Sequence, residues 1–230
     1  MHDTAIDNGK AFFDTYLVPG TRPRLLDIGA LDVNGSLRAV CPKGVEYIGV
    51  DFAQGPGVDV VLTDPYALPF PDKHADVIVT SSCFEHSEMF WVLFIELLRV
   101  LKPHGLLYLN APSNGAFHRY PVDCWRFYPD SGRALVTWAK RCGLKPALLE
   151  SYISGQSPHN PWGWNDFVAV FVKDEAHAGI YPRRILQAKQ DVFNGVLYGL
   201  DGFVKFFNQS EDMRKLRASG AHPQAQLPVE

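Results

Sequence analysis

The sequence predicts an α/β protein organised around a mainly parallel sheet. Three observations carry that expectation. Strand-like and helix-like stretches alternate from Arg24 to Val172, the pattern of crossover connections rather than of hairpins. The run Val77-Ile78-Val79 is continuously β-branched, as suits a central strand covered on both faces. The first apolar run, Arg24-Leu25-Leu26, ends in Asp27-Ile28-Gly29, an acid and a glycine at the edge where open α/β sheets hold ligands.

A short helix over residues 9–17 comes first. Strands follow at 24–28, 45–51, 58–63 and 75–81. Residues 88–101 read as a helix because Phe90, Leu93, Phe94, Leu97 and Leu98 recur at helical spacing. Pro103-His104-Gly105 is expected to stop it, with a fifth strand at 106–109. Pro129-Asp130-Ser131 starts a helix over 130–142 that ends at Gly143. Two last strands, 147–151 and 167–172, flank a loop rich in Pro, Gly and Trp. These elements form one domain, residues 1–173. Beyond it, Ile185, Val192, Val196, Leu200 and Phe203 fall on one helical stripe, widened by Phe193, Leu197, Val204 and Phe207. Residues 174–230 are therefore expected to be a helical extension, forming a homodimer contact or bracing a lid, and to end in a disordered polar tail from Ser219.

The 230 residues suffice to bury a core without disulfides or metals. A net charge of −3 with mixed signs argues against a nucleic-acid partner. No apolar stretch approaches the roughly 20 residues that span a bilayer, and the first residues lack a signal-peptide pattern. Cys41, Cys83, Cys124 and Cys142 are scattered without a C-x-x-C pair, the usage of reduced thiols in a cytoplasmic protein.

Two acids define the expected ligand. Asp27 closes the first strand and Asp51 the second, the position from which a carboxylate accepts hydrogen bonds from ribose hydroxyls. The turn after Gly29 lacks G-x-G-x-x-G, and an acid two residues before the glycine would repel a pyrophosphate. It suits a cation, and S-adenosyl-L-methionine carries two cationic groups beside its adenosine.

Leu25-Leu26-Asp27-Ile28-Gly29-Ala30, Gly49-Val50-Asp51, the run from Thr63 to Phe70, Ala75-Asp76-Val77-Ile78, Phe84-Glu85-His86 and the run from Glu96 to Gly105 stand in this order. Together they resemble a class I S-adenosylmethionine-dependent methyltransferase of the broad bacterial group acting on small molecules and glycans. The resemblance implies a Rossmann-like, doubly wound, seven-stranded sheet of order 3-2-1-4-5-7-6 with strand seven antiparallel. It implies cofactor contacts at Asp27, Gly29, Asp51 and Phe52, with Asp64 and Pro65 at the adenine and Ser82 after the fourth strand. Leu31-Asp32-Val33-Asn34-Gly35 replaces the further glycines usual in the family. A longer turn and a shorter helix are expected there, with Asn34 and Gly35 near the methionine moiety.

The acceptor side lies outside those motifs. The segment from Ala111 to Tyr128 carries His118, Arg119, Tyr120, Asp123 and Arg126 among aromatic rings, and a loop of that length is usually functional. Similar His-Arg-Tyr-Pro and Asp-Cys-Trp-Arg-Phe segments occur in bacterial methyltransferases of surface-glycan and secondary-metabolite pathways. A hydroxyl acceptor must lose a proton, for which histidine is the common base. His118, oriented by Asp123, is the expected base, with His86 its rival. A second lid, residues 154–166, carries His159, Trp162 and Trp164, and its tryptophans either stack on a sugar ring or seal the pocket. No ligand spacing supports a metal among His118, Asp123, His159 and Asp166. The expected activity is O-methylation of a sugar, nucleotide sugar or other small polar metabolite. The alternatives are an inactive S-adenosylmethionine-binding partner subunit, or an NAD(P)-dependent oxidoreductase, disfavoured because no glycine fingerprint or Tyr-x-x-x-Lys dyad is present.

Overall fold

The computed structural model describes residues 2–156, 163–197 and 204–205. Helix α1 (Asp3–Tyr16) precedes strand β1 (Arg24–Ile28), followed by β2 (Glu46–Asp51), β3 (Val60–Val61) and β4 (Ala75–Ser81). Helix α2 (Phe90–Val100), strand β5 (Leu101–Pro112), helix α3 (Ser131–Arg141) and strands β6 (Ala147–Ser154), β7 (Asp166–Val172), β8 (Val192–Leu197) and β9 (Val204–Lys205) complete the order. One sheet joins the nine strands of the described residues, in the order β3-β2-β1-β4-β5-β7-β6-β8-β9. β1 pairs parallel with β2 and β4, and β4 with β5, whereas β7 runs antiparallel to both β5 and β6. The expected seven-strand order stands, and two strands are added at the β6 edge.

Alternation along the strands assigns side chains to two layers. Val77 and Val79 of β4, with Leu106 and Tyr108 of β5, join the layer under α1. Ile78, Leu107 and Leu109 join the layer under α2 and α3. Helix α1 buries Thr4, Ala5, Asn8, Gly9, Phe12, Phe13 and Tyr16, one face at three- and four-residue steps. Leu93, Phe94, Leu97 and Leu98 of α2 are buried, as their spacing predicts. Leu101 already pairs with Ala75, and the ladder resumes at Val77 and Leu106. Pro103-His104-Gly105 is thus an irregularity within β5 rather than a gap before it.

The C-terminal helix is a correction. Residues 192–197 form β8, antiparallel to β6 with Ser151 opposite Val196 and Ser154 opposite Val192. Asn194 sits at φ +47 and Gly195 follows it, a poor helix interior, while the outer edge of β6 offers unpaired backbone groups. A ladder satisfies them. The described part of 174–230 thus extends the sheet, and a homodimer or brace argued from a helical stripe loses that basis. Leu200, Phe203, Phe207 and the polar tail lie outside the described residues.

Candidate active site

The candidate cofactor half lies at the carboxyl ends of β1 and β2. Gly29 takes φ +84, and a Cβ there would stand 2.7 Å from the Cβ of Cys83. The turn out of β1 therefore packs directly on the chain leaving β4. Gly29 donates its N–H to the Val50 carbonyl at 2.9 Å. Asp51, buried, accepts from Leu31 N at 3.1 Å and Ala53 N at 3.0 Å. Those bonds clamp the turn and leave further carboxylate lone pairs. Gly49 is needed because a Cβ would meet the Gly57 carbonyl at 1.9 Å. Its N–H donates to Asp59 at 2.7 Å, and Asp59 pairs with Arg38.

Asp27 is 2 % exposed and accepts a 2.5 Å hydrogen bond from the Tyr47 hydroxyl, with Arg38 stacked over the Tyr47 ring at 4.6 Å. Burial pushes the Asp27 carboxyl up to about 6, against the Tyr47 bond and the Arg38 charge, which pull it down. A carboxyl so placed gains from a cationic ligand. Asp64 is exposed and accepts from Tyr66 N at 2.8 Å, an Asx turn next to Pro65. Phe52 is exposed, and Ser82 holds φ +53 while donating its N–H to the Asn110 carbonyl. The short 3-10 turn Leu37–Val40 replaces a long helix after β1, as the 31–35 segment predicts. Asn34 is exposed, and Gly35, at φ +119, donates to Asp32 at 2.8 Å. Acids at the ends of adjacent parallel strands, on glycine-shaped turns, fit S-adenosylmethionine.

The candidate acceptor half is built from the chain leaving β4 and the long segment leaving β5. Residues 122–125 dock on 85–87: Cys124 and Trp125 donate their N–H groups to the Glu85 carbonyl, and Trp125 Nε1 donates to the Ser87 carbonyl. His86 Nδ1 lies 2.5 Å from the Val122 carbonyl, so that nitrogen carries the proton. Burial holds the His86 imidazole below its ordinary pKa, although the Val122 carbonyl opposes the shift. The rings of His86 and His118 meet edge to face at 5.0 Å, and His118 meets Trp164 at 5.1 Å. Both candidate bases thus share one site.

Asp123 does more than orient His118. It holds Arg126 through two bonds, Oδ1–Nη1 at 2.5 Å and Oδ2–Nη2 at 2.9 Å, and accepts from His118 N at 2.7 Å. Burial would raise its carboxyl, but Arg126 and the His118 N–H hold it at about 2. His118 Nδ1 lies 3.1 Å from the Ala116 carbonyl and 3.4 Å from Asp123 Oδ2, so the carbonyl is the nearer orienting partner. Arg126 also donates to the Ala116 and Trp125 carbonyls and knits the lid together. Arg119 and Tyr120 are exposed on it. Trp164 stacks on His2 of the N-terminus at 6.0 Å, and its neighbour Asn165 is locked to Asn114 by reciprocal bonds of 2.8 and 2.9 Å. His159 and Trp162 lie outside the described residues.

Glu85 is the residue whose role the motif order left open. It is 1 % exposed, Oε1 stands 3.7 Å from His86 Nε2, and Oε2 has no hydrogen-bond partner among the described residues. Burial pushes its carboxyl up to about 8, opposed by its own backbone N–H. An acid flanked by an aromatic and a histidine was the only signal for it.

Residues 26–109 match a family described as a methyltransferase domain. A Mycobacterium tuberculosis protein described as an uncharacterized methyltransferase is 34% identical over 120 residues, covering 47% of this chain and 46% of that protein. One from Mycobacterium marinum is 36% identical over 134 residues, covering 49% and 50%. The chain spans about half the length of these relatives. Among solved structures, the Burkholderia thailandensis 1,6-didemethyltoxoflavin-N1-methyltransferase superposes with a TM-score of 0.55 at 15% identity, covering 74% of this chain and 79% of that one. An S-adenosylmethionine-dependent methyltransferase from Archaeoglobus fulgidus gives 0.52 at 18%, covering 72% and 93%. The [4+2]-cyclase SpnF gives 0.54 at 16%, covering 74% and 81%. Residues 26–109 thus share the sequence pattern of a methyltransferase domain, on a fold shared with S-adenosylmethionine-dependent methyltransferases. A cyclase among the fold neighbours leaves the reaction to be argued from the site.

Proposed function

We propose that the protein transfers the methyl group of S-adenosylmethionine to a hydroxyl of a small polar acceptor, such as a sugar, a nucleotide sugar or another metabolite. The observation that carries this reading is the contact of His86 and His118, with Trp164 beside them, on the chain that packs against the cofactor turn. The Cys83–Gly29 contact links the two halves, and Trp164 supplies a flat apolar wall of the kind that meets a sugar face. The cofactor supplies an electrophilic methyl group. Asp51 and Asp27 hold its ribose and amino-acid ends, with Asp64 at the adenine, and Gly29, Asn34, Gly35, Phe52, Pro65 and Ser82 shape the turns around it. The lid positions the acceptor, and positioning supplies most of the rate in such an in-line displacement. The acceptor hydroxyl loses its proton at the His86–His118 pair. Arg119, exposed on the lid, is the cation open to an anionic acceptor, since Arg126 is committed to Asp123.

His118→Ala is expected to lower turnover by roughly 10²–10⁴, while affinity for S-adenosylhomocysteine stays within a few-fold. Retention of more than about a tenth of wild-type turnover, with chemistry rate-limiting, overturns the role of the pair and leaves positioning alone.

A further inference from the structure

We infer that Glu85, His86 and His118 form a binding site for a divalent transition-metal ion at the acceptor end of the cleft. One ligand atom from each residue lies within 4.8 Å of the others. The three come from two chain segments, the turn leaving β4 and the lid leaving β5.

The hydrogen bonds around the cluster are those a metal requires. A ligating histidine gives its second ring N–H to a carbonyl or carboxylate, which fixes the tautomer and aims the other nitrogen. His86 Nδ1 is taken by the Val122 carbonyl at 2.5 Å. His118 Nδ1 is taken by the Ala116 carbonyl at 3.1 Å, with Asp123 Oδ2 at 3.4 Å behind it. All these partners are acceptors, so both rings keep their lone pair on Nε2. The third member supplies the independent observation: the Glu85 carboxyl is 1 % exposed, its Oε2 meets no donor among the described residues, and Oε1 is 3.7 Å from His86 Nε2. A buried carboxyl oxygen without a donor, beside the His86 Nε2 lone pair, is a group that a cation would satisfy.

Two imidazoles and one carboxylate suit Mn²⁺, Co²⁺, Zn²⁺ or Fe²⁺ rather than Ca²⁺ or Mg²⁺, which take oxygen-rich shells. Metal–ligand distances of about 2.0–2.2 Å set tetrahedral donor atoms roughly 3.4 Å apart, so atoms as far as 4.8 Å apart must close by about 1.4 Å, within reach of His118 on a half-exposed lid. Three protein ligands leave a position for a substrate oxygen. The role of the ion rests on the proposed function: an acceptor hydroxyl bound there gives its proton to water. Its oxygen lone pair then forms the new bond to the methyl carbon while the C–S pair stays on sulfur. On this account the His86–His118 pair promotes loss of that proton by holding the ion.

Untagged, full-length protein stripped with a chelator is titrated with Mn²⁺, read by the EPR signal of the free ion, and with Co²⁺, read by its visible bands. One ion per chain is expected, with no displacement by excess Mg²⁺. Glu85→Gln and His118→Ala should each weaken binding at least tenfold, whereas His177→Ala, remote from the cluster, should not. Each variant is also checked for the thermal shift given by S-adenosylhomocysteine, so that a misfolded variant is recognised and the other carries the comparison. Failure of the wild-type chain to bind either ion while it still responds to S-adenosylhomocysteine overturns the metal site and leaves the methyltransferase reading intact. Binding unchanged in both site variants overturns it as well. Metal bound without any S-adenosylhomocysteine response would instead refute the functional reading alone.

Discussion

Asp27, at the proposed cofactor site, is placed to couple ligand affinity to pH. Its carboxyl is pushed up to about 6 from an ordinary value of 3.8, chiefly by burial. Because the folded value lies above the unfolded one, the stabilisation it contributes is complete below about pH 4 and is lost as pH rises through about 6. Two units correspond to about 3 kcal/mol between those limits. A cationic ligand reverses the preference by favouring the charged form. Cofactor binding, measured by calorimetry, should therefore tighten as pH rises through 6. Asp27→Asn should flatten both the affinity profile and the stability profile, and a variant with the wild-type pH dependence would show that another group is responsible.

At the level of elements, Glu150 of β6 is the point where three segments meet. It is fully buried, and it accepts from the Tyr16 hydroxyl of α1 at 2.5 Å, Ile185 N at 2.8 Å and Leu186 N at 3.0 Å. Arg184 Nε donates to the neighbouring Leu149 carbonyl, so the segment leading to β8 is fastened along β6. Glu150→Leu strands three buried donors, each costing about 1–3 kcal/mol. Its urea midpoint should fall by the equivalent of roughly 3 kcal/mol or more. Chains ending before β8 should aggregate through the bared edge of β6. A Glu150→Leu protein within about 1 kcal/mol of wild type would show that β8 is held by its ladder alone.

Across the whole molecule, the site is a closure of distant segments over one sheet edge. The N-terminus reaches it through His2, which stacks on Trp164 and lies 3.4 Å from Asp166, and through Thr4, which donates to Asp166 at 3.1 Å. Ligand binding should therefore be felt globally. S-adenosylhomocysteine at a hundredfold excess over its Kd should stabilise the fold by about 2.7 kcal/mol. Asp51→Ala should weaken its binding at least tenfold, and more than the loss of ribose contacts alone, because the Leu31 and Ala53 bonds that clamp the turn go with it. Unchanged affinity in that variant would remove Asp51 from the cofactor site.

Local patterns carried much of this molecule. Apolar periodicity located α2, start and stop residues located α3, a β-branched run located β4, and the acids closing the first two strands marked the proposed cofactor edge, because all these signals arise between residues close in the chain. The segment after Asp174 was misread for the same reason: its apolar spacing suits a helix, and only the unpaired edge of β6, supplied by distant sequence, makes residues 192–197 a strand. The lid was legible as chemistry but not as geometry. The Asp123–Arg126 pair, three residues apart, is itself local, but nothing local shows that Glu85 would be buried with an oxygen lacking a donor, or that His86 would meet His118. Burial and the pairing of polar groups depend on which segments the sheet order brings together, and that is decided in three dimensions.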